Sequence, residues 1–200
     1  MQYINLFPTP LYVDEQLELA KEILPVAEDY LNVYGDKYLN QQNYDSTYNI
    51  NSAGLKQRTD ARLINLNNYI KTASRKYFED NCIDSTGWSL TPYYLFNKIT
   101  SGGAHPPHPH PGSLLSGCFY LKVPKDSAPI VYNDPRDYWK FIQYPIKFGD
   151  TIEKYNLFPE YVINPVEGTF LMWPSWLCHE VPASANTEDR ICVAFNLQPN

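Results

Sequence analysis

Apolar residues recur at spacings of three and four in two early stretches of the chain. From Asp14 to Tyr30, the residues Leu17, Ala20, Ile23, Leu24 and Ala27 fall on one stripe, after an acidic start suited to a helix N-terminus. Pro25 is expected to kink or split that helix. From about Asp60 to Asp80, Leu63, Leu66, Ile70, Ala73 and Tyr77 form a second stripe, with Thr59 or Asp60 placed to cap its start. Between them, Gly35 to Thr59 is polar, rich in Asn, Gln and Tyr, and reads as a long loop. A loop of that length in a compact domain is often functional.

From Trp88 the pattern changes to short runs typical of strands. They are Ser89 to Ile99, Leu114 to Val123, Ile130 to Asn133, Tyr161 to Ile163, Thr169 to Trp173 and Arg190 to Leu197, separated by segments containing Pro and Gly. Helices first and many strands afterwards predict an α+β fold, mainly β at its core: a sandwich or barrel with the N-terminal helices packed outside. Two hundred residues suffice for one core, so a single domain is expected over 1–200. Residues 1–87 would form a helical and loop support, and 88–200 the β core.

Composition narrows the functional classes. A net charge of −6 argues against nucleic acid as the main partner, because phosphate binding needs a basic face. The local cluster Lys71, Arg75 and Lys76 reads as a solvated helix face. The cysteines Cys82, Cys118, Cys178 and Cys192 form no CxxC pair, and Cys118 and Cys192 sit in apolar runs where a thiol behaves as a small hydrophobe. The start MQYINLFPTPLYV lacks the basic and apolar regions of a signal peptide, and no apolar stretch reaches the length of a membrane span. A cytoplasmic protein is expected.

The candidate chemistry lies in the histidines. Three of the four, His105, His108 and His110, fall in GGAHPPHPHPGS, and His179 lies in PSWLCHEVP. In an extended segment residues two apart point to one side, so His108 and His110 offer two nitrogens to one ion, and the prolines keep the stretch extended. His179, just past the strand-like GTFLMWP, would be a third ligand brought in by a neighbouring strand; three facial ligands leave open positions on the ion for oxygen and a co-substrate. The plainer alternative is a Pro-rich loop and a packed histidine. Arg190 opens RICVAFNL, where Arg190, Cys192, Ala194 and Asn196 share one face of a strand. A cation there is costly unless it meets an anion, and guanidinium grips a carboxylate bidentately. A rim salt bridge with Glu188 or Asp189 is the alternative.

The chain resembles the 2-oxoglutarate/Fe(II)-dependent oxygenase superfamily, and within it a group common in phages and marine bacteria. The resemblance is carried by NLFPTPLYV, FNKITSGGAHPPHPHPGSLLSGCFYLKVP, NDPR at 133–136, EGTFLMWPSWLCHEVP and RICVAFN, in that order along nearly the whole chain. It implies a double-stranded β-helix, a jelly roll of cupin-like form. Carried across, His108 becomes the first iron ligand, His179 the distal one, and Arg190 the partner of the far carboxylate of 2-oxoglutarate. Tyr120 would hydrogen-bond that carboxylate or else be a core aromatic, and Asn97 and Asn196 are pocket candidates by position and strand parity. One departure stands out: the superfamily's second ligand is usually Asp or Glu, whereas this chain has His110. Asp134, in the NDPR turn, is the alternative carboxylate, although a turn role before Pro135 suits it better. His105 would be a supporting or surface residue.

The resemblance implies hydroxylation of an unactivated C–H bond in an unidentified substrate, a protein residue or a small molecule, with O2 and 2-oxoglutarate consumed. By its Tyr- and Asn-rich composition, segment 41–50 would form a lid or a peptide-facing loop. Two other readings are a three-histidine dioxygenase that uses no 2-oxoglutarate, with Arg190 on the substrate carboxylate, and a non-catalytic binding module.

Overall fold

The computed structural model describes residues 7–48, 59–136 and 160–199. Among these, two long helices, α1 (Leu17–Tyr34) and α2 (Ile64–Asp80), bury most of the apolar stripes seen in the sequence, although Leu17 at the start of α1 stays exposed and Leu24 is only partly buried. α1 runs unbroken through Pro25, beginning three residues later and ending four residues later than its pattern predicts. Asp60 does cap the second helical stretch: its carboxylate accepts from the Arg62 N–H ahead of a short 3-10 turn, Ala61–Leu63, that leads into α2.

The strands are β1 (Tyr12–Glu15), β2 (Asp36–Lys37), β3 (Tyr44–Ser46), β4 (Leu90–Ile99), β5 (His105–His108) and β6 (Leu115–Lys122). They continue with β7 (Ile130–Asn133), β8 (Glu160–Ile163), β9 (Thr169–Pro174), β10 (His179–Val181) and β11 (Arg190–Pro199). β4 pairs with β11, β5 with β10, β6 with β9 and β7 with β8, all antiparallel. This nested order is what a chain folded double and wound up must produce, so the architecture is a double-stranded β-helix. One sheet has the order β1-β9-β6-β11-β4-β3-β2 and the other β5-β10-β7-β8. No helix of the described residues is long and apolar enough to cross a membrane.

Side-chain alternation divides the larger sheet into two faces. Phe96, Phe119, Phe170, Val193 and Phe195 face α1 and α2 and form the main core with Ile23, Leu66 and Ile70. Tyr120, Leu171, Trp173 and Cys192 face inward, towards Ile130 and Tyr132 of the smaller sheet. The functional cavity opens between the sheets. On the helix side Gly117 sits opposite Phe195, and a Cβ there would collide with the Phe195 ring and the Leu171 carbonyl. Gly117→Ala is therefore expected to cost about 1–3 kcal/mol by overpacking, measured by urea unfolding.

Three expectations need correction. The β core does not begin at residue 88, because β1, β2 and β3 extend the larger sheet from the first half of the chain. Asp14 and Glu15 pair with Phe170 and Thr169 in β1 rather than starting a helix. The stretch Gly35 to Thr59 is not one loop: Tyr44 and Ser46 are buried in β3 against β4, so the described part of segment 41–50 is anchored in the sheet. Residues 49–58 lie outside the described residues.

Candidate metal centre

The β5–β10 pairing sets His108 directly opposite His179, and His179 in turn opposite Tyr132. His110 follows in the turn after β5, its N–H donating to the Ser175 carbonyl at 2.8 Å. His108, His110 and His179 thereby bring one ligand nitrogen each within 4.8 Å of one another. His105, read as a supporting residue, stacks on His108 with ring centroids 3.8 Å apart and packs against Tyr38 and Tyr44.

Backbone carbonyls orient two of the rings. His108 Nδ1 lies 2.8 Å from the Pro106 carbonyl and His179 Nδ1 lies 3.0 Å from the Leu177 carbonyl. In the neutral tautomer each Nδ1–H donates there, which leaves Nε2 as a bare lone pair. Nε2 of His110 and Nε2 of His179 are 3.3 Å apart. Two nitrogens bound at about 2.1 Å to one ion at near-tetrahedral or octahedral angles stand roughly 3–3.4 Å apart. The donor set therefore fits a single first-row metal. Burial lowers His179 to about 3 and His110 to about 4, and lowers His108 as well, so the imidazoles are neutral and ready to ligate at neutral pH. Trp173 flanks the site, its ring 4.7 Å from that of His179. Sequence reasoning missed it; its inward place on β9 depends on which strand lies beside it.

The histidines line a cavity of about 620 Å³ that runs down the inner wall formed by β4 and β11. Arg190 lies at its far end, 2% exposed, with Nη1 donating to the Ala128 carbonyl at 2.8 Å and the guanidinium 5.0 Å from the Tyr120 ring centroid. It makes no ion pair with Glu188, which instead meets Lys122. Among the described residues, neither Arg190 Nε nor Tyr120 Oη, both buried, has a hydrogen-bond partner. Burial pushes the Tyr120 hydroxyl well above its ordinary value, so it remains a neutral donor. The hydrogen bond with Cys118 and the charge of Arg190 draw the neighbouring Cys192 thiol down. Among the described residues, two donors without partners and a buried guanidinium without a counter-charge thus lie together at this end of the cavity.

Asn97 and Asn196 both line the cavity, at different depths: Asn97 is paired with Cys192, and Asn196 lies six residues beyond Arg190 along β11. Asp134 is not part of the histidine cluster. Its carboxylate accepts from the Arg136 backbone N–H at 2.9 Å and from the Arg136 guanidinium at 2.8 Å, which is the turn role. The tyrosines Tyr38, Tyr44 and Tyr48 also reach the cavity. Their only sequence signal was the Tyr-rich character of that segment.

Solved structures share the fold at low identity. A prolyl-4-hydroxylase from Pseudomonas putida has a TM-score of 0.63 at 10% identity, covering 96% of this chain and 94% of that one. The non-haem α-ketoglutarate-dependent epimerase SnoN from nogalamycin biosynthesis has a TM-score of 0.64 at 12% identity, covering 95% and 78%. HygX from Streptomyces hygroscopicus, solved with nickel, 2-oxoglutarate and hygromycin B, has a TM-score of 0.56 at 12% identity, covering 96% and 84%. No curated sequence matches the chain. The sequence model of the 2OG-Fe(II) oxygenases matches residues 95–196, a span that starts on the cavity wall of β4, takes in all four histidines and ends at Asn196. By that match, over half its length, the chain belongs to the 2OG-Fe(II) oxygenase family.

Proposed function

We propose that this oxygenase holds Fe(II) on His108, His110 and His179 and receives 2-oxoglutarate between the metal and Arg190, with Tyr120 as a second donor to the far carboxylate and Asn97 beside it. The observation that carries this reading is the unpaired, buried guanidinium at one end of a cavity whose other wall presents three converging imidazoles. Iron and 2-oxoglutarate, when bound, would activate O2 for attack on an unactivated C–H bond, one oxygen atom going to the substrate and the other to succinate as the co-substrate loses CO2. The chain's own share is binding, orientation and exclusion of water. Pro106 and Leu177 hold two imidazoles in register, Trp173 and Tyr132 shield the distal histidine, and Arg190 draws the dicarboxylate into one orientation.

Three neutral imidazoles leave the metal one unit more positive than a set with a carboxylate, so the co-substrate's carboxylates offset more of its charge. The reaction we propose is hydroxylation of a protein residue or a small molecule. Residues 1–87 and 88–200 would act as one domain, the helices bracing the outer face of the larger sheet, and a cytoplasm supplying reduced iron and 2-oxoglutarate is the fitting compartment.

Anaerobic addition of Fe(II) and then 2-oxoglutarate tests this directly. The expected result is a visible metal-to-ligand charge-transfer band that needs both. Iron uptake without the band would favour a three-histidine dioxygenase independent of 2-oxoglutarate, and no iron uptake would favour a binding module.

A further inference from the structure

The cavity wall formed by β4 and β11 is a ladder of cross-strand pairs with an ordered change of chemistry. Its deepest rung is Arg190 with Ile99, followed by Cys192 with Asn97. The middle rung, Ala194 with Leu95, is apolar. Beyond it, Asn196 pairs with Tyr93 and Gln198 with Thr91, two rungs of uncharged hydrogen-bonding groups. Asn196 is six residues from Arg190, roughly 20 Å along the strand, which is further than a five-carbon dicarboxylate anchored on Arg190 can reach. Among the described residues lining the cavity, Arg190 is the one Lys, Arg, Asp or Glu.

The amide of Asn196 has a defined direction. Ser116 Oγ donates its hydrogen to Asn196 Oδ1 at 2.6 Å, so at the 2.8 Å contact between hydroxyls it is Ser175 that donates to Ser116. Ser116 and Ser175 are each 1% exposed, and Ser175 also holds the His110 N–H through its carbonyl. Asn97 is held in the same way deeper in the wall: Ser46 Oγ accepts from the Tyr48 N–H at 3.2 Å and donates to Asn97 Oδ1 at 2.6 Å. With one lone pair of Oδ1 engaged by Ser116, half-buried Asn196 has its Nδ2–H pair unused, since that pair makes no hydrogen bond among the described residues.

Resting on the co-substrate reading above, we infer that the outer two rungs bind the primary substrate, that Asn196 is its specificity-determining contact, and that the substrate is an uncharged, carbonyl-bearing molecule. A carbonyl oxygen is the acceptor that the unused Nδ2–H pair matches. A charged group entering this part of the cavity would meet no counter-charge among the described lining residues, which selects against phosphorylated, acidic and basic substrates. The line from Asn196 through Ser116 and Ser175 to His110 also ties substrate contact to the loop carrying a metal ligand.

The test is ¹H relaxation of three matched probes by the anaerobic Fe(II)·2-oxoglutarate protein, its charge-transfer band confirming loading. The probes are N-acetyl-L-alanine methylamide (neutral), N-acetyl-L-alanine (anionic) and L-alanine methylamide (cationic). The neutral probe is expected to be relaxed by the metal and the two charged ones not. Asn196→Leu should weaken the neutral probe by about tenfold, the loss of one well-made hydrogen bond, with the band retained. Asn196→Asp keeps the Ser116 hydrogen bond and should move the preference to the cationic probe. Equal relaxation by all three, relaxation by none, or a neutral probe indifferent to both substitutions overturns the inference while the band stands. A wild type that shows no band sinks the co-substrate reading and this inference with it.

Discussion

His179→Ala should abolish stable iron binding, lowering affinity by well over about 100-fold, more than the 10–100-fold that follows loss of an outer partner of a metal ligand. The reason is geometric. His179 lies at the point where β10 meets both β5 and β7, and its Nε2 faces that of His110 at 3.3 Å. Removing it leaves His108 and His110 on one short extended segment, a two-point site without a facial third ligand. The measurement is anaerobic titration with Fe(II), followed by addition of 2-oxoglutarate. The wild type should also gain thermal stability from the metal by mass action, since the unfolded chain has no assembled site, and the variant should not. His179 is 5% exposed and packs on Trp173, so its truncation also opens a small void. Circular dichroism separates that effect from metal loss. A folded variant that binds iron like the wild type would show that the triad is not the metal site.

Arg190→Met should separate stability from function in the opposite sense. Arg190 is a fully buried cation held by one carbonyl and an aromatic face, with Nε unpaired among the described residues. A buried charge without a counter-charge is a net cost, and replacing such a group by an apolar one of similar length is often neutral or stabilising by about 1–4 kcal/mol. The midpoint of unfolding is therefore expected to stay level or rise. Binding of 2-oxoglutarate should instead fall by roughly 30-fold to several thousandfold, the 2–5 kcal/mol associated with truncating one partner of a buried charge pair. Iron uptake should be unaffected, because Arg190 lies outside the histidine cluster. Loss of stability with unchanged co-substrate affinity would make Arg190 a structural residue and remove the carboxylate from that end of the cavity.

Local signals were readable where the physics is local. Spacings of three and four in α1 and α2, and the apolar runs of β4, β6, β9 and β11, reflect side-chain periodicity that each segment carries alone. The errors fall where a segment takes its structure from a distant partner. Asp14 and Glu15 look like the first turn of a helix, yet they form β1 because Phe170 and Thr169 offer a free sheet edge. Tyr44–Ser46 has little strand character of its own and is held by β4. Pro25 does not split α1: Val26 and Ala27 remain buried against the sheet, and that packing outweighs one missing backbone donor.

By itself, the sequence determined the chemical stock of the site. The HPH spacing sends two imidazoles to one side, and the parity of β11 puts Arg190, Cys192 and Asn196 on a single face whatever the rest of the chain does. The tertiary structure alone decided what those groups meet. Ladder pairing between β5 and β10 brings His179 to His108, Arg190 is buried with its Nε unpaired among the described residues, and Ser116 engages Oδ1 of the Asn196 amide. Periodicity is a property of one segment, whereas pairing, burial and hydrogen-bond partners arise only when segments far apart in the chain are packed together.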